Sequence, residues 1–174
     1  AVIDISNPAD PVLVSEEQTG GADGQLNGAM GLSIVGNYAY IVTDVRDSFA
    51  IVDISDPADP VFVAEDFGPD RGISLDAANG VFVSGKYAYV VSSNNDSLSI
   101  FDVSNPADPV FLADELGPIP GTTLNSVYDI VVVGNYAYLP SSNRDSLAVI
   151  DVGGAFISNV QLGTAKIGNR SVDQ

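Results

Sequence analysis

The sequence predicts an all-β fold assembled from one supersecondary unit repeated every 49 residues, and three observations predict it. Asp4, Asp53, Asp102 and Asp151 recur at that interval in nearly the same words: VIDISNPADPV, IVDISDPADPV, IFDVSNPADPV and a worn VIDVGGAFI. Short apolar runs are punctuated by Gly, Pro, Asn and Asp, the chemistry of strands joined by turns. No segment carries 3.6-residue apolar spacing over a helix's length. A fixed period of this size marks an array of identical units.

Each unit contains four runs. The first (GLSIVG, GVFVSG, DIVVVG) ends at Gly36, Gly85 or Gly134, followed at once by Asn or Lys. A two-residue hairpin connection needs a residue that accepts positive φ there, and glycine does so without steric cost. The second run (YAYIV, YAYVV, YAYLP) begins at Tyr38, Tyr87 or Tyr136, with Tyr40, Tyr89 and Tyr138 two residues on. The spacing of two puts both rings on one face of a strand. Polar loops TDVRDS, SSNNDS and SSNRDS come next.

The third run (FAIVDI, LSIFDV, LAVIDV) is apolar on both faces, which predicts a strand covered on both sides. Then follow SNPADP and SDPADP, where proline cannot donate to a ladder and Asn/Asp-Pro starts a turn. The fourth run (PVLVS, PVFVA, PVFLA) leads into long Gly/Pro loops at 15–28, 64–76 and 113–125. Residues 36–63 and 85–112 share 16 identities over 28 positions, so each unit adopts the same structure.

Four strands of about five residues at a period of 40–50 match the blade of a β-propeller. The expected division is a single partial propeller over 1–174, with a half blade at 1–24, blades at 25–73, 74–122 and 123–163, and an irregular tail at 164–174. The last unit departs from the pattern: Gly153-Gly154-Ala155 replaces Ser-Asn-Pro, which puts its fourth strand, around 156–162, in doubt. About three and a half blades are present, whereas closed propellers need at least ~4. The expectation is therefore a partial ring or fragment, completed by more blades of the same chain or by a second copy. Unpaired edges and apolar flanks would otherwise face water.

Composition narrows the function classes. Six basic residues against 23 acidic ones give a net charge of −17, which disfavours nucleic acid and anionic membrane as partners. With 45% apolar residues in periodic order, the chain can form a packed core. Cys and His are both absent, which excludes disulfides, the usual zinc sites and His-based nucleophilic relays. No run approaches the ~18 apolar residues of a membrane span. No cofactor is expected. Hard oxygen ligands could hold Ca²⁺, but the sequence has no D-x-[DN]-x-[DN]-G loop.

Three sets of residues invite a functional reading, and each has a structural one beside it. Asp4, Asp53, Asp102 and Asp151 could form a carboxylate ring, but a strand-end aspartate that caps the following turn explains them better. The Tyr pairs could stack on sugars, but their repetition in a regular strand favours packing between blades. Ser48, Ser97 and Ser146 have no His for a base, and only Lys86 and Lys166 are present as lysines. The candidate ligand face is the one carrying the loops between second and third strands: Arg46, Asp47, Asn94, Asn95, Asp96, Asn143, Arg144 and Asp145. Solvated turns are the plainer account of it. No catalytic residue and no metal ligand is assigned.

GNYAYIV together with S-x-x-I-x-D-[IV]-S-[ND]-P-A-D-P-V resembles the LVIVD-repeat family, and the resemblance covers the chain to about Val152. It implies a β-propeller and, since the family consists mostly of bacterial and archaeal surface or secreted proteins, an extracellular or cell-surface location. The expected function is a non-catalytic scaffold or binding module that takes protein or glycan on its loop face. One alternative is a fragment of a propeller hydrolase or lyase with its catalytic residues in further blades. Another is a self-assembling structural surface protein.

Overall fold

The computed structural model describes residues 1–16, 24–68, 72–116, 124, 126–143 and 145–153, with the side chains of Glu115 and Leu116 left aside. The expected fourth strand of the last unit and the 164–174 tail lie outside the described residues. Within them the chain is all-β, a partial β-propeller of antiparallel sheets. The strands are β1 (Val2–Asp4), β2 (Val12–Ser15), β3 (Ala29–Val35), β4 (Tyr38–Thr43), β5 (Ser48–Asp53), β6 (Val61–Phe67), β7 (Ala78–Ser84), β8 (Tyr87–Ser92), β9 (Ser97–Asp102), β10 (Val110–Leu116), β11 (Val131–Val133), β12 (Tyr136–Ser141) and β13 (Ser146–Asp151).

Strands pair in chain order. β3-β4-β5-β6 form blade 1, β7-β8-β9-β10 blade 2, β11-β12-β13 the described part of blade 3, and β1-β2 a half blade before them. The first hairpin of each blade turns on Gly36, Gly85 or Gly134, at φ 59°, 60° and 60°. The following Asn or Lys is not left-handed, so one glycine per turn suffices. The irregularity of pairing also repeats, at Ala29/Gly31 in blade 1 and Ala78/Gly80 in blade 2.

Period-two alternation decides what each strand buries. In blade 1, Tyr40, Val42, Phe49 and Ile51 face forward and meet Val81, Val83, Ala88, Val90 and Phe101 of blade 2. In blade 2, Tyr89, Val91, Leu98 and Ile100 face forward and meet Ile130, Val132, Ala137, Leu139 and Ala148 of blade 3. The core therefore lies between blades. Phe49 stacks on Phe101 across the first junction with ring centroids 4.8 Å apart. Full burial of each such side chain contributes about 1.5–3 kcal/mol.

β5 and β9 are buried on both faces, as their apolar runs predict, because each is sandwiched between two neighbours. β13 has the same kind of sequence but is open on one face, with Leu147 and Val149 exposed. The innermost strands approach closely. A Cβ at Gly31 would lie 2.5 Å from the Asn79 carbonyl oxygen, and one at Gly80 would lie 2.9 Å from that of Tyr128.

Candidate functional site

The loop face is built around one aspartate per blade. Asp47, Asp96 and Asp145 end the loops between second and third strands in left-handed conformation, at φ 52°, 51° and 48°. Aspartate tolerates that region because its short polar side chain can bond locally. Here the bond reaches into the next blade. Asp47 Oδ1 accepts the backbone N–H of Ala77 at 2.9 Å, and Asp96 Oδ1 accepts that of Ser126 at 2.6 Å.

The receiving residues carry the link onward. Ala77 and Ser126 are themselves left-handed, and their carbonyls accept the N–H groups of Ser93 and Ser142 in their own blade's loop. Gly28 holds the same place in blade 1, with its carbonyl accepting from Asp44. A line of hydrogen bonds thus runs across the loop face from blade to blade. Two of the aspartates that looked like candidate ligand groups, Asp47 and Asp96, form this framework.

The remaining candidates are held within their own blades. Arg46 Nε donates to Glu65 Oε1 at 3.2 Å and the guanidinium lies 4.8 Å above the Phe67 ring. Glu65 also accepts from Ser48 Oγ at 2.7 Å, and Ser48 in turn meets Thr43 Oγ1 at 2.9 Å. Asn94 Nδ2 donates to Asp76 Oδ1 at 2.9 Å, and Asn143 Nδ2 to Ser126 Oγ at 2.6 Å. Asn95 is half-buried, Asp145 is exposed, and Arg144 lies outside the described residues. Among the described residues, no three acidic side chains gather where they could hold a metal ion.

The 49-residue Asp ladder lies elsewhere, at the end of each third strand. Oδ1 of Asp4, Asp53, Asp102 and Asp151 accepts the N–H two residues on, at 2.8, 2.8, 2.9 and 3.0 Å. Asn7, Asp56 and Asn105 repeat the device one turn later, accepting from Ala9, Ala58 and Ala107. At Asp4, Asp53 and Asp102 these bonds favour the ionised carboxylate. The Ser55 N–H, followed by its hydroxyl, pulls Asp53 below its ordinary pKa. For Asp102 the Ser104 hydroxyl leads, with Lys86 adding a smaller contribution. The ladder consists of turn caps.

The tyrosines pack between blades. Tyr40 and Tyr89 are buried, while Tyr38 and Tyr87 cover the edges of the two cores. Burial, and then the neighbouring Tyr38 or Tyr87, pushes the hydroxyls of Tyr40 and Tyr89 above their usual range. Tyr136 is 47% exposed because no further blade covers it among the described residues. An apolar cavity of about 370 Å³ opens between the half blade and blade 1, lined by Val2, Leu26, Leu32, Ile34, Ile41 and Pro57 among others.

Sequence reasoning missed the blade-to-blade clamp. Half of the signal was visible: Asp47, Asp96 and Asp145 stay constant in loops that otherwise vary. The other half was invisible, because the donors are backbone N–H groups of Ala77 and Ser126, whose side chains share nothing.

Residues 1–19, 28–65, 77–114 and 126–160 each match the LVIVD repeat. The chain belongs to the LVIVD-repeat family. No curated protein matches the chain. Among solved structures, a candidate 6-phosphogluconolactonase from Bacteroides fragilis NCTC 9343 aligns with TM-score 0.57 and 15% identity over 71% of this chain and 35% of its own. The computationally designed Ika8 protein aligns with TM-score 0.53 and 8% identity over 75% of this chain and 35% of its own. At these identities the likeness is one of fold. The LVIVD array spans about a third of either structure. Among the described residues no helix is long and apolar enough to cross a membrane.

Proposed function

We propose that this LVIVD array is a non-catalytic scaffold of a secreted or cell-surface protein and that it binds protein or glycan through its loop face. One observation carries the reading: the same clamp, made by Asp47 and Asp96, holds loops of different chemistry. Between the constant Thr/Ser and the repeated Asp, the three loops read Asp44-Val45-Arg46, Ser93-Asn94-Asn95 and Ser142-Asn143-Arg144. A rigid frame presenting variable exposed loops is the usual design of a recognition surface. The Asp ladder residues serve as turn caps and the repeated tyrosines as packing groups, which supports the non-catalytic reading. The extracellular setting rests on the family's usual company and on the strongly acidic surface.

The test is a printed glycan array, and in parallel an array of cell-surface proteins, probed with the chain and with the triple variant Asn94→Ala/Asn95→Ala/Asn143→Ala. Saturable binding that the variant loses, with the melting temperature unchanged, supports the reading. Binding that survives the triple change removes the loop face from it, and silence on both arrays removes the binding function.

A further inference from the structure

We propose that the loop-face end of the innermost strands binds a neutral oligosaccharide through Met30, Asn79 and Tyr128, one side chain from each blade. This site belongs to the loop face of the binding function proposed above and rests on that reading, narrowing it to one class of ligand and one row of residues. The row comes from a repeated irregularity of the ladder. Ala29 pairs with Thr43 and Gly31 with Val42, which leaves Met30 between them without a cross-strand partner. Asn79 is the same extra residue between Ala78 and Gly80. In blade 3 the bridge from Val127 to Ser141 repeats that from Ala78 to Ser92, so Tyr128 holds the equivalent place. A bulge re-aims a side chain and is common beside active sites.

Close approach of neighbouring inner strands joins the three positions. A Cβ at Gly31 would meet the carbonyl oxygen of Asn79 at 2.5 Å, and one at Gly80 would meet that of Tyr128 at 2.9 Å. Each bulge therefore lies beside that of the next blade. Ala77 and Ser126, two residues earlier, are fixed by the clamps from Asp47 and Asp96. The frame is constant, whereas the residue it presents changes from thioether to amide to phenol. Met30 and Tyr128 are exposed. Asn79 has a described blade on both sides and is still only half-buried, so the row is open at its middle as well as at its ends.

The chemistry of the row selects the ligand. The Asn79 side chain makes no hydrogen bond to a described residue, and its Oδ1 is buried. Two other loop-face amides are engaged, Asn94 by Asp76 and Asn143 by Ser126. An amide without partners costs folding free energy, and a ligand hydroxyl that meets it as the amide turns recovers that cost. Tyr128 offers an open ring whose negative face suits the C–H face of a sugar. A sugar alternates such faces with hydroxyl edges, and so matches ring and amide in turn. For a protein partner, the amide at the centre of the row breaks the apolar core that such an interface needs.

Charge narrows the ligand further. Asp129 follows Tyr128 and is exposed, which repels a negatively charged sugar. Among the described residues the cations, Arg46 and Lys86, are held by Glu65 and Asp102. The row also joins the variable loops in one surface. Asn94 is bonded to Asp76, three residues before Asn79, so an oligosaccharide laid across the clamp reaches the loops while one of its sugars rests on Tyr128.

Isothermal titration calorimetry tests it, with cellohexaose, mannohexaose, maltohexaose and N-acetylchitohexaose as neutral probes and a galacturonic acid hexamer as the anionic one. The expected result is saturable binding of at least one neutral probe and none of the anionic hexamer. Tyr128→Ala and Asn79→Ala should each weaken that binding about tenfold, whereas Tyr128→Phe, which keeps the ring, should leave it within about threefold. Neither alanine variant should lower the melting temperature, because Tyr128 is exposed and the Asn79 amide holds nothing. A lowered melting temperature for Asn79→Ala marks the amide as structural and overturns its role. Equal binding of the anionic hexamer overturns the ligand class. Binding that Asn94→Ala/Asn95→Ala/Asn143→Ala abolishes but both single alanine variants retain overturns the inner row and leaves the loop-face reading standing. Failure of every neutral probe, with a hit among cell-surface proteins, does the same. Failure of every probe with silence on both arrays removes the binding function as well.

Discussion

Asp47 and Ala77 are thirty residues apart, and a 2.9 Å hydrogen bond from the Ala77 N–H to the Asp47 carboxylate fastens the loop edge of blade 1 to blade 2. Asp96 and Ser126 repeat it at the next junction. A bond from a partly buried N–H to an ionised oxygen contributes about 1.5–3 kcal/mol. Asp47→Ala and Asp96→Ala are each expected to destabilise the chain by about that amount in urea titrations. Asp145→Ala, at an exposed position, should leave stability unchanged within about 0.5 kcal/mol. Asn at position 47 should retain part of the effect, since its carbonyl oxygen can accept the same bond and it tolerates the left-handed backbone.

Gly31 and Gly80 set how closely neighbouring blades approach. A methyl group at Gly31 would face the Asn79 carbonyl oxygen at 2.5 Å and the Gly80 Cα at 3.1 Å. Backbone on both sides cannot yield as a flexible side chain would. Gly31→Ala and Gly80→Ala should each cost about 1–3 kcal/mol, the usual penalty of overpacking, measured as a lowered melting temperature. Gly36→Ala should cost less, because its Cβ would meet nothing and only its φ of 59° opposes the change.

Position in the array, more than residue type, should decide what a core truncation costs. Phe49 is fully buried and stacks on Phe101 across a junction. Phe49→Ala should lose about 3–5 kcal/mol. Leu147→Ala at the equivalent position of blade 3 removes a side chain that is already 60% exposed. It should lose under about 1 kcal/mol in a dilute sample of the single chain. Equal losses would contradict the blade-junction core.

The turn caps predict a pH dependence with a definite sign. Asp53 and Asp102 have pKa values below the ordinary 3.8, held down by hydrogen bonds from Ser55 and Ser104. A carboxylate depressed in the folded state contributes stability above its unfolded pKa and loses it as pH falls through the folded value. The melting temperature of the chain should therefore carry a cap contribution that is constant above about pH 5 and fades below about pH 4. Protonating a surface of charge −17 also relieves repulsion over the same range, which opposes the loss. The difference between the chain and its Asp53→Asn/Asp102→Asn variant isolates the caps. It should be largest near neutral pH and shrink in acid.

Much of the architecture was legible because its determinants are local. Gly36 and Asp53 act on partners one or two residues away, so a 49-residue repeat of the sequence is a repeat of the bonds themselves. Strand alternation is local too, and it placed Tyr38 and Tyr40 on one face without knowledge of what that face would meet. The loop residues resisted such reading. Arg46 sits next to Asp47 in sequence yet donates to Glu65, nineteen positions on, because β5 and β6 return that carboxylate to the loop. Asn94 similarly donates to Asp76 in the strand-leading segment of its own blade.

The sequence by itself determined the unit, its four-strand order, its turns and the caps that end its third strands. Side chains at constant offsets carry all of these. Only the tertiary structure decided which repeated aspartate spans a junction, because its partner is a main-chain N–H that Ala77 and Ser126 supply equally well. It also decided that Phe49 is core while Leu147 is surface. Both belong to the same apolar pattern, and burial depends on whether a neighbouring blade stands in front of them.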